Sequence, residues 1–252
     1  MRRLFPGLGA IIALLLACGD STSSTGSTTT GTTTTSADTL PDAYKHFTNG
    51  VKVSIDGDQV VLSTTDIPDH KSVYFPMSDT MYQAYNGTNT AFAAAPNTIT
   101  AQQMVFRIPL HPAAASSHAA TPLGPIGIAI NGVALFNQYN GQDRPLTVEI
   151  NSFDQGNGHP QQTGVYHYHV EPLHITATDG RDALIGFLLD GFPVYGPVEN
   201  GRTIADADLD TYHGHFGVTR DYPLGIYHYH ITAEDPYING SGFWGSAGTV
   251  SQ

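Results

Sequence analysis

The sequence predicts a mainly β fold, sandwich- or barrel-like, built around an internally duplicated unit of a hairpin followed by a histidine strand. Three observations point there. The tetrapeptide Tyr-His-Tyr-His occurs twice, as Tyr166-His167-Tyr168-His169 and Tyr227-His228-Tyr229-His230, each time between apolar β-formers. Asx-Gly pairs at Asp56-Gly57, Asn131-Gly132 and Asp190-Gly191 interrupt runs of β-formers, and such pairs accept the positive φ angles of a tight hairpin turn. Pro and Gly punctuate the rest, and no window sustains a helical period beyond a short stretch near 206–209. Many short strands favour a sandwich or barrel over an open sheet.

In chain order, Val51-Lys52-Val53-Ser54-Ile55 and Gln59-Val60-Val61-Leu62-Ser63 read as a hairpin about Asp56-Gly57. Further strands are expected at 104–108, 146–150, 174–177 and 183–189. The match between the two tetrapeptides extends outward. Gly164-Val165 and Val170 correspond to Gly225-Ile226 and Ile231. A Gly-His word precedes each copy, Gly158-His159 and Gly214-His215, and is expected in a loop. Further upstream, the stretch through Asn131-Gly132 matches that through Asp190-Gly191 by residue type. Gly191 follows Gly132 by 59 positions and His228 follows His167 by 61, so insertions between these landmarks are small. The repeat units run over about 126–172 and 184–233.

These words resemble those of the YHYH-domain family, and the chain looks like a bacterial lipoprotein member of it. The resemblance covers roughly 51–244. Its specific words are Thr121-Pro122-Leu123-Gly124-Pro125-Ile126-Gly127, Asn131-Gly132, Asp190-Gly191-Phe192-Pro193-Val194-Tyr195-Gly196-Pro197 and Gly214-His215-Phe216-Gly217. It implies no particular reaction. Similar proteins often carry cysteine before the first Gly-His, whereas Asp154-Gln155-Gly156-Asn157 has none, which excludes a disulfide or thiolate ligand from that loop.

The amino terminus reads as an export signal over 1–18. Met1-Arg2-Arg3 precedes an apolar run too short to span a bilayer comfortably. Leu15-Leu16-Ala17-Cys18 resembles a lipobox, and Cys18, the one cysteine of the chain, is the expected lipidation site. Residues 19–39 are rich in Ser, Thr and Gly, cannot bury enough apolar surface to offset ordering entropy, and read as a tether. Residues 40–252 suffice for one domain with its own core. The expected location is the cell envelope outside the cytoplasm, in the periplasm or at the cell surface, with the membrane as a partner through the lipid anchor. With 22 acidic against 10 basic residues the net charge is -12, which disfavours nucleic acid and welcomes a cation.

Of 12 histidines, eight fall between His159 and His230. On a strand, imidazoles at i and i+2 share a face, and a third from a nearby segment completes a three-histidine set. The expected ligands are His159, His167 and His169 in the first unit and His215, His228 and His230 in the second, with His70 and Asp190 as further candidates. Whether the trios form one cluster or two depends on strand adjacency that spacing does not give. The tyrosines between them face the other way and are expected to pack in the core. Asp190 corresponds to Asn131, and turn chemistry accounts for that pair. Imidazole suits zinc, copper, nickel and iron, with copper and zinc foremost. The competing view is that the histidines hydrogen-bond across strands; two copies with two Gly-His words weigh against it.

Three functions follow as expectations: a lipid-anchored transition-metal carrier, buffer or sensor; a metal-dependent enzyme with a three-histidine site; and a cell-surface recognition module with structural histidines. No acid has a spacing that marks it as catalytic, and no hydrolase motif is present.

Overall fold

The computed structural model describes residues 39–240 and 242–252. The expected signal 1–18 with Cys18, and the tether 19–39 except its last residue, lie outside them. Among the described residues no helix is long and apolar enough to cross a membrane.

Strands β1 (Lys52–Asp56) and β2 (Gln59–Thr64) form the expected hairpin, and Gly57 supplies its positive φ of 63°. Strand β3 (Met104–Pro109) pairs antiparallel with all of β2. Val60, Leu62, Met104, Phe106 and Ile108 are buried while their neighbours are only partly covered, the alternation of a sheet with one face on a core. The repeat region follows: β4 (Pro125–Ala129), β5 (Ala134–Phe136), β6 (Gly158–Pro160), β7 (Tyr166–Tyr168), helix α1 (Leu173–Asp179), β8 (Leu184–Leu188), β9 (Pro193–Tyr195), β10 (Val198–Glu199), β11 (Arg202–Thr203), β12 (Gly214–Gly217) and β13 (Ile226–His230). Strand β14 (Thr249–Ser251) returns to pair with β3.

Among the described residues three sheets result, ordered β1-β2-β3-β14, β10-β11 and β12-β13-β9-β8-β4-β5-β7-β6. None closes into a barrel. The two larger sheets contribute to one hydrophobic core, a sandwich-like arrangement in which β4 and β8 are buried along their whole length. In each repeat the hairpin (β4-β5, β8-β9) is antiparallel, and its second strand pairs in parallel with the histidine strand (β5-β7, β9-β13). The hairpins join through β4 and β8. The histidine strands are therefore not neighbours. Four strands separate them, which at about 4.8 Å per step puts them roughly 24 Å apart along the sheet.

The central junction is closely packed. A methyl at Gly127 would stand 2.5 Å from the Phe187 carbonyl oxygen, and one at the equivalent Gly186 would stand 2.1 Å from that of Ile128. Both glycines adjoin a register shift in their own hairpin, Pro125/Gly127 in one and Leu184/Gly186 in the other.

Three local expectations are corrected. Residues 146–150 form no strand: Ile150 N–H bonds to the Leu146 carbonyl, Val148 is exposed, and a 3-10 turn, Glu149–Ser152, follows. Residues 174–177 lie in α1, which Pro172 starts and Gly180 ends at a φ of 101°, its N–H bonded to the Thr176 carbonyl. Finally, His159 and His215 lie on the short strands β6 and β12 rather than in loops.

Candidate metal centres

Antiparallel pairing of β6 with β7 places His159 directly opposite His167, and pairing of β12 with β13 places His215 directly opposite His228. His169 and His230, two residues further along, turn to the same faces. Each trio is joined by a carboxylate. Glu149, His159, His167 and His169 form one group and Glu199, His215, His228 and His230 the other, each with its ligand atoms within 4.8 Å of one another. The six histidines expected from the sequence are all there, in two separate groups.

Hydrogen bonds fix the imidazoles. His167 Nδ1 lies 3.2 Å from the Val165 carbonyl oxygen, and His228 Nδ1 lies 3.0 Å from that of Ile226. His169 Nδ1 lies 2.5 Å from the Asn137 oxygen and His230 Nδ1 2.8 Å from that of Gly196, residues that correspond in the two units. A carbonyl can only accept, so each Nδ1 carries the hydrogen and each Nε2 of a neutral ring keeps its lone pair. The Nε2 atoms of His167 and His169 converge to 3.0 Å, and His215 Nε2, whose ring has no such carbonyl bond among the described contacts, lies 3.0 Å from that of His228. His159 Nε2 stands 3.3 Å from Glu149 Oε1 but off the line of a hydrogen bond, and it and His230 Nε2 are buried without a hydrogen-bond partner. Glu199 approaches His228 at 3.3 Å, His215 at 3.6 Å and His230 at 4.0 Å.

The lone pairs of His167 and His169, 3.0 Å apart, need a proton or a cation between them. Burial opposes the proton. It lowers His169 to about 4 and His230 to about 3, and moves His228 in the same direction. His167 is held well below its ordinary value by burial and then by its imidazole neighbours. Burial raises the Glu149 carboxyl, but His159 and His169 outweigh it and keep the group below its usual range. Two ligands on one tetrahedral ion lie roughly 3.3 Å apart, given metal–nitrogen bonds of about 2.05 Å. The spacing and donor set of both groups fit such an ion.

The surrounding side chains repeat too. Asp154 Oδ1 accepts from Gly156 N–H at 2.8 Å, Gly158 N–H at 3.3 Å and the Tyr166 hydroxyl at 2.9 Å. Asp210 Oδ1 accepts from Tyr212 N–H at 2.9 Å, Gly214 N–H at 3.3 Å and the Tyr227 hydroxyl at 2.9 Å. Each carboxylate ties the segment bearing the first histidine to the first tyrosine of the tetrapeptide. Tyr166, Tyr168, Tyr227 and Tyr229 are buried in the core, as expected.

Asp190 and His70 are placed elsewhere. Asp190 accepts from the Tyr229 hydroxyl at 2.6 Å and from Gly245 N–H at 2.9 Å, on the face opposite the imidazoles, and also bonds Phe192 N–H within its own turn. Its counterpart Asn131 bonds the Tyr168 hydroxyl at 3.1 Å. His70 Nε2 meets that same hydroxyl at 2.9 Å, so both candidates serve the tyrosine side. His213, in a left-handed conformation with φ of 70°, bonds Thr232 Oγ1 at 2.9 Å and belongs to neither group.

The two glutamates are candidate ligands that sequence reasoning did not assign: Glu149 counted only as one of several acids without a telling spacing, and Glu199 carried no signal. Glu199 follows Glu149 by 50 positions, whereas His215 follows His159 by 56, so the acids do not correspond in the repeat. Glu149 comes from a 3-10 turn and Glu199 from β10.

Fold and site together define a duplicated β protein with a three-imidazole, one-carboxylate cluster at each flank of one sheet. A family model described as YHYH protein matches residues 105–203 and 198–242, more than half of the sequence, and the chain belongs to that family. No curated protein and no solved structure matches it significantly.

Proposed function

We propose that this protein binds two transition-metal ions, one in each repeat, and serves as a metal carrier, buffer or sensor in the cell envelope, held to a membrane through lipidated Cys18. The observation that carries the metal reading is the convergence of imidazole Nε2 lone pairs whose Nδ1 hydrogens are already given to backbone carbonyls. Such fixed outer bonds set tautomer and ring orientation before a metal arrives. Nitrogen and oxygen donors without sulfur suit divalent zinc or copper. The location rests on the charged start, the apolar run and the Leu15-Leu16-Ala17-Cys18 word.

Elemental analysis after exposure to excess zinc or copper, followed by desalting, is expected to give about two ions per chain. His167→Ala should remove one, His228→Ala the other, and the double variant both. Unaltered protein that remains metal-free would overturn the reading and favour the recognition module.

A metal-dependent enzyme is the second reading, favoured by cavities of about 700 Å³ beside His167 and His169 and about 250 Å³ beside His228 and His230. A bound divalent ion would supply Lewis acidity there, and turnover lost together with the metal would establish it.

A further inference from the structure

The two centres share their donors but open onto different surroundings. Beside the first, the cavity of about 700 Å³ is lined by the amides of Gln142, Gln161 and Gln162 and by no Lys or Arg among the described residues. Beside the second, the cavity of about 250 Å³ is bounded by His228, His230 and Glu199 together with Thr219, Arg220 and Asp182. Arg220 makes no ion pair among the described residues. The carboxylate beside it in sequence, Asp221, is engaged by His46 at 2.7 Å and by the Tyr195 hydroxyl at 2.9 Å. The second centre is also the more open: the His215 side chain is 28% exposed against 6% for its counterpart His159.

A divalent ion held by three neutral imidazoles and one carboxylate carries one uncompensated positive charge, and a four-ligand set can expand to five. At the first centre neutral amides face that charge. At the second, Asp182 offsets the charge of Arg220, but only there does a planar guanidinium, which matches a carboxylate, stand in the cavity.

We propose, building on the metal-binding reading, that the second centre, and not the first, takes a small carboxylate anion as an additional ligand, held between the bound ion and Arg220. Compared with the one beside the first centre, the cavity has roughly a third of the volume. Asp182 and Glu199 stand in it, so a singly charged anion suits it better than phosphate.

The test uses cobalt(II) in place of the native ion, because its visible bands report coordination number. Cobalt content is measured first on every variant, in a buffer that does not bind metal, and each is then titrated with acetate. Acetate should shift the bands saturably in the unaltered protein and in His167→Ala, where the second centre alone remains, and should leave His228→Ala unchanged. Arg220→Gln should weaken acetate binding about tenfold. Failure of the unaltered protein to take up cobalt would overturn the metal-binding reading itself. Cobalt uptake with bands indifferent to acetate, a response at the first centre, a response to phosphate but not acetate, or full affinity in Arg220→Gln would overturn this inference alone.

Discussion

Ile128 and Phe187 pair directly across the junction of β4 and β8, and each is the other's counterpart in the repeat. Gly127 likewise faces Leu188, the counterpart of Ala129, which in turn faces Gly186, the counterpart of Gly127. The halves of the chain thus meet as two subunits meet across an isologous dimer interface, with a pseudo-twofold axis through that central pair. This relation sends the histidine strands to opposite flanks of one sheet and makes the centres separate.

The junction predicts that Gly186→Ala is strongly destabilising. Its new methyl would meet the Ile128 carbonyl oxygen at 2.1 Å and Ala129 Cα at 2.7 Å, both backbone atoms of a buried strand. A cost of about 3 kcal/mol or more is expected from urea denaturation. Gly141→Ala, which meets nothing within 4 Å, should cost little.

The paired loop carboxylates should differ in weight. Asp154 is 2% exposed and also accepts a bond from the Ser72 hydroxyl, whereas Asp210 is exposed. Asp154→Ala leaves buried donors unsatisfied and should cost about 3 kcal/mol, against about 1 kcal/mol for Asp210→Ala. Equal losses in thermal or urea unfolding would contradict the assignment of Asp154 as the buried anchor of the first centre.

Much of this site can be read directly from the chain. His167 and His169, or His228 and His230, share a face because strand side chains alternate, and repetition marks the pattern as a unit. His159 and His215 are recognisable through their Gly-His words. Glu149 and Glu199 are not, because they reach equivalent places from unrelated elements, a 3-10 turn and a strand, and a repeat reveals only what it repeats. Register is equally hidden: nothing local states that β7 pairs in parallel with β5 rather than lying beside β13. The helix over Leu173–Asp179 is masked by its own Ile and Thr residues, whose strand preference yields to the Pro172 start and the Gly180 cap.

Acid should weaken the metal-free protein. Burial holds His169 near about 4 and His230 near about 3, and lowers His167 and His228 as well, while in the unfolded chain imidazoles titrate near about 6.5. The unfolded chain therefore gains protons that the folded one refuses, and stability that is complete above about pH 6.5 is lost as the pH falls through that window. Asp190, raised to about 6 by burial, acts with the opposite sign below about pH 6, and Asp66, raised well above its ordinary value by burial, acts in that same sense; the six lowered imidazoles, His70 and His213 included, outnumber the two. From about pH 7 to 5 the net change should be a loss of stability, read as a fall in the urea midpoint. Zinc should hold the protein up until protons displace it. A urea midpoint indifferent to pH over this range would contradict the buried neutral imidazoles.

X-ray absorption of the zinc-loaded protein probes the convergence of the two imidazole trios most directly. The structure predicts about three imidazole nitrogens and one oxygen per ion at about 2.0 to 2.1 Å, with no sulfur shell, and the same average ligand set in His167→Ala and His228→Ala at half the metal content. Fewer than two imidazoles per ion, or full metal content in either variant, would contradict it.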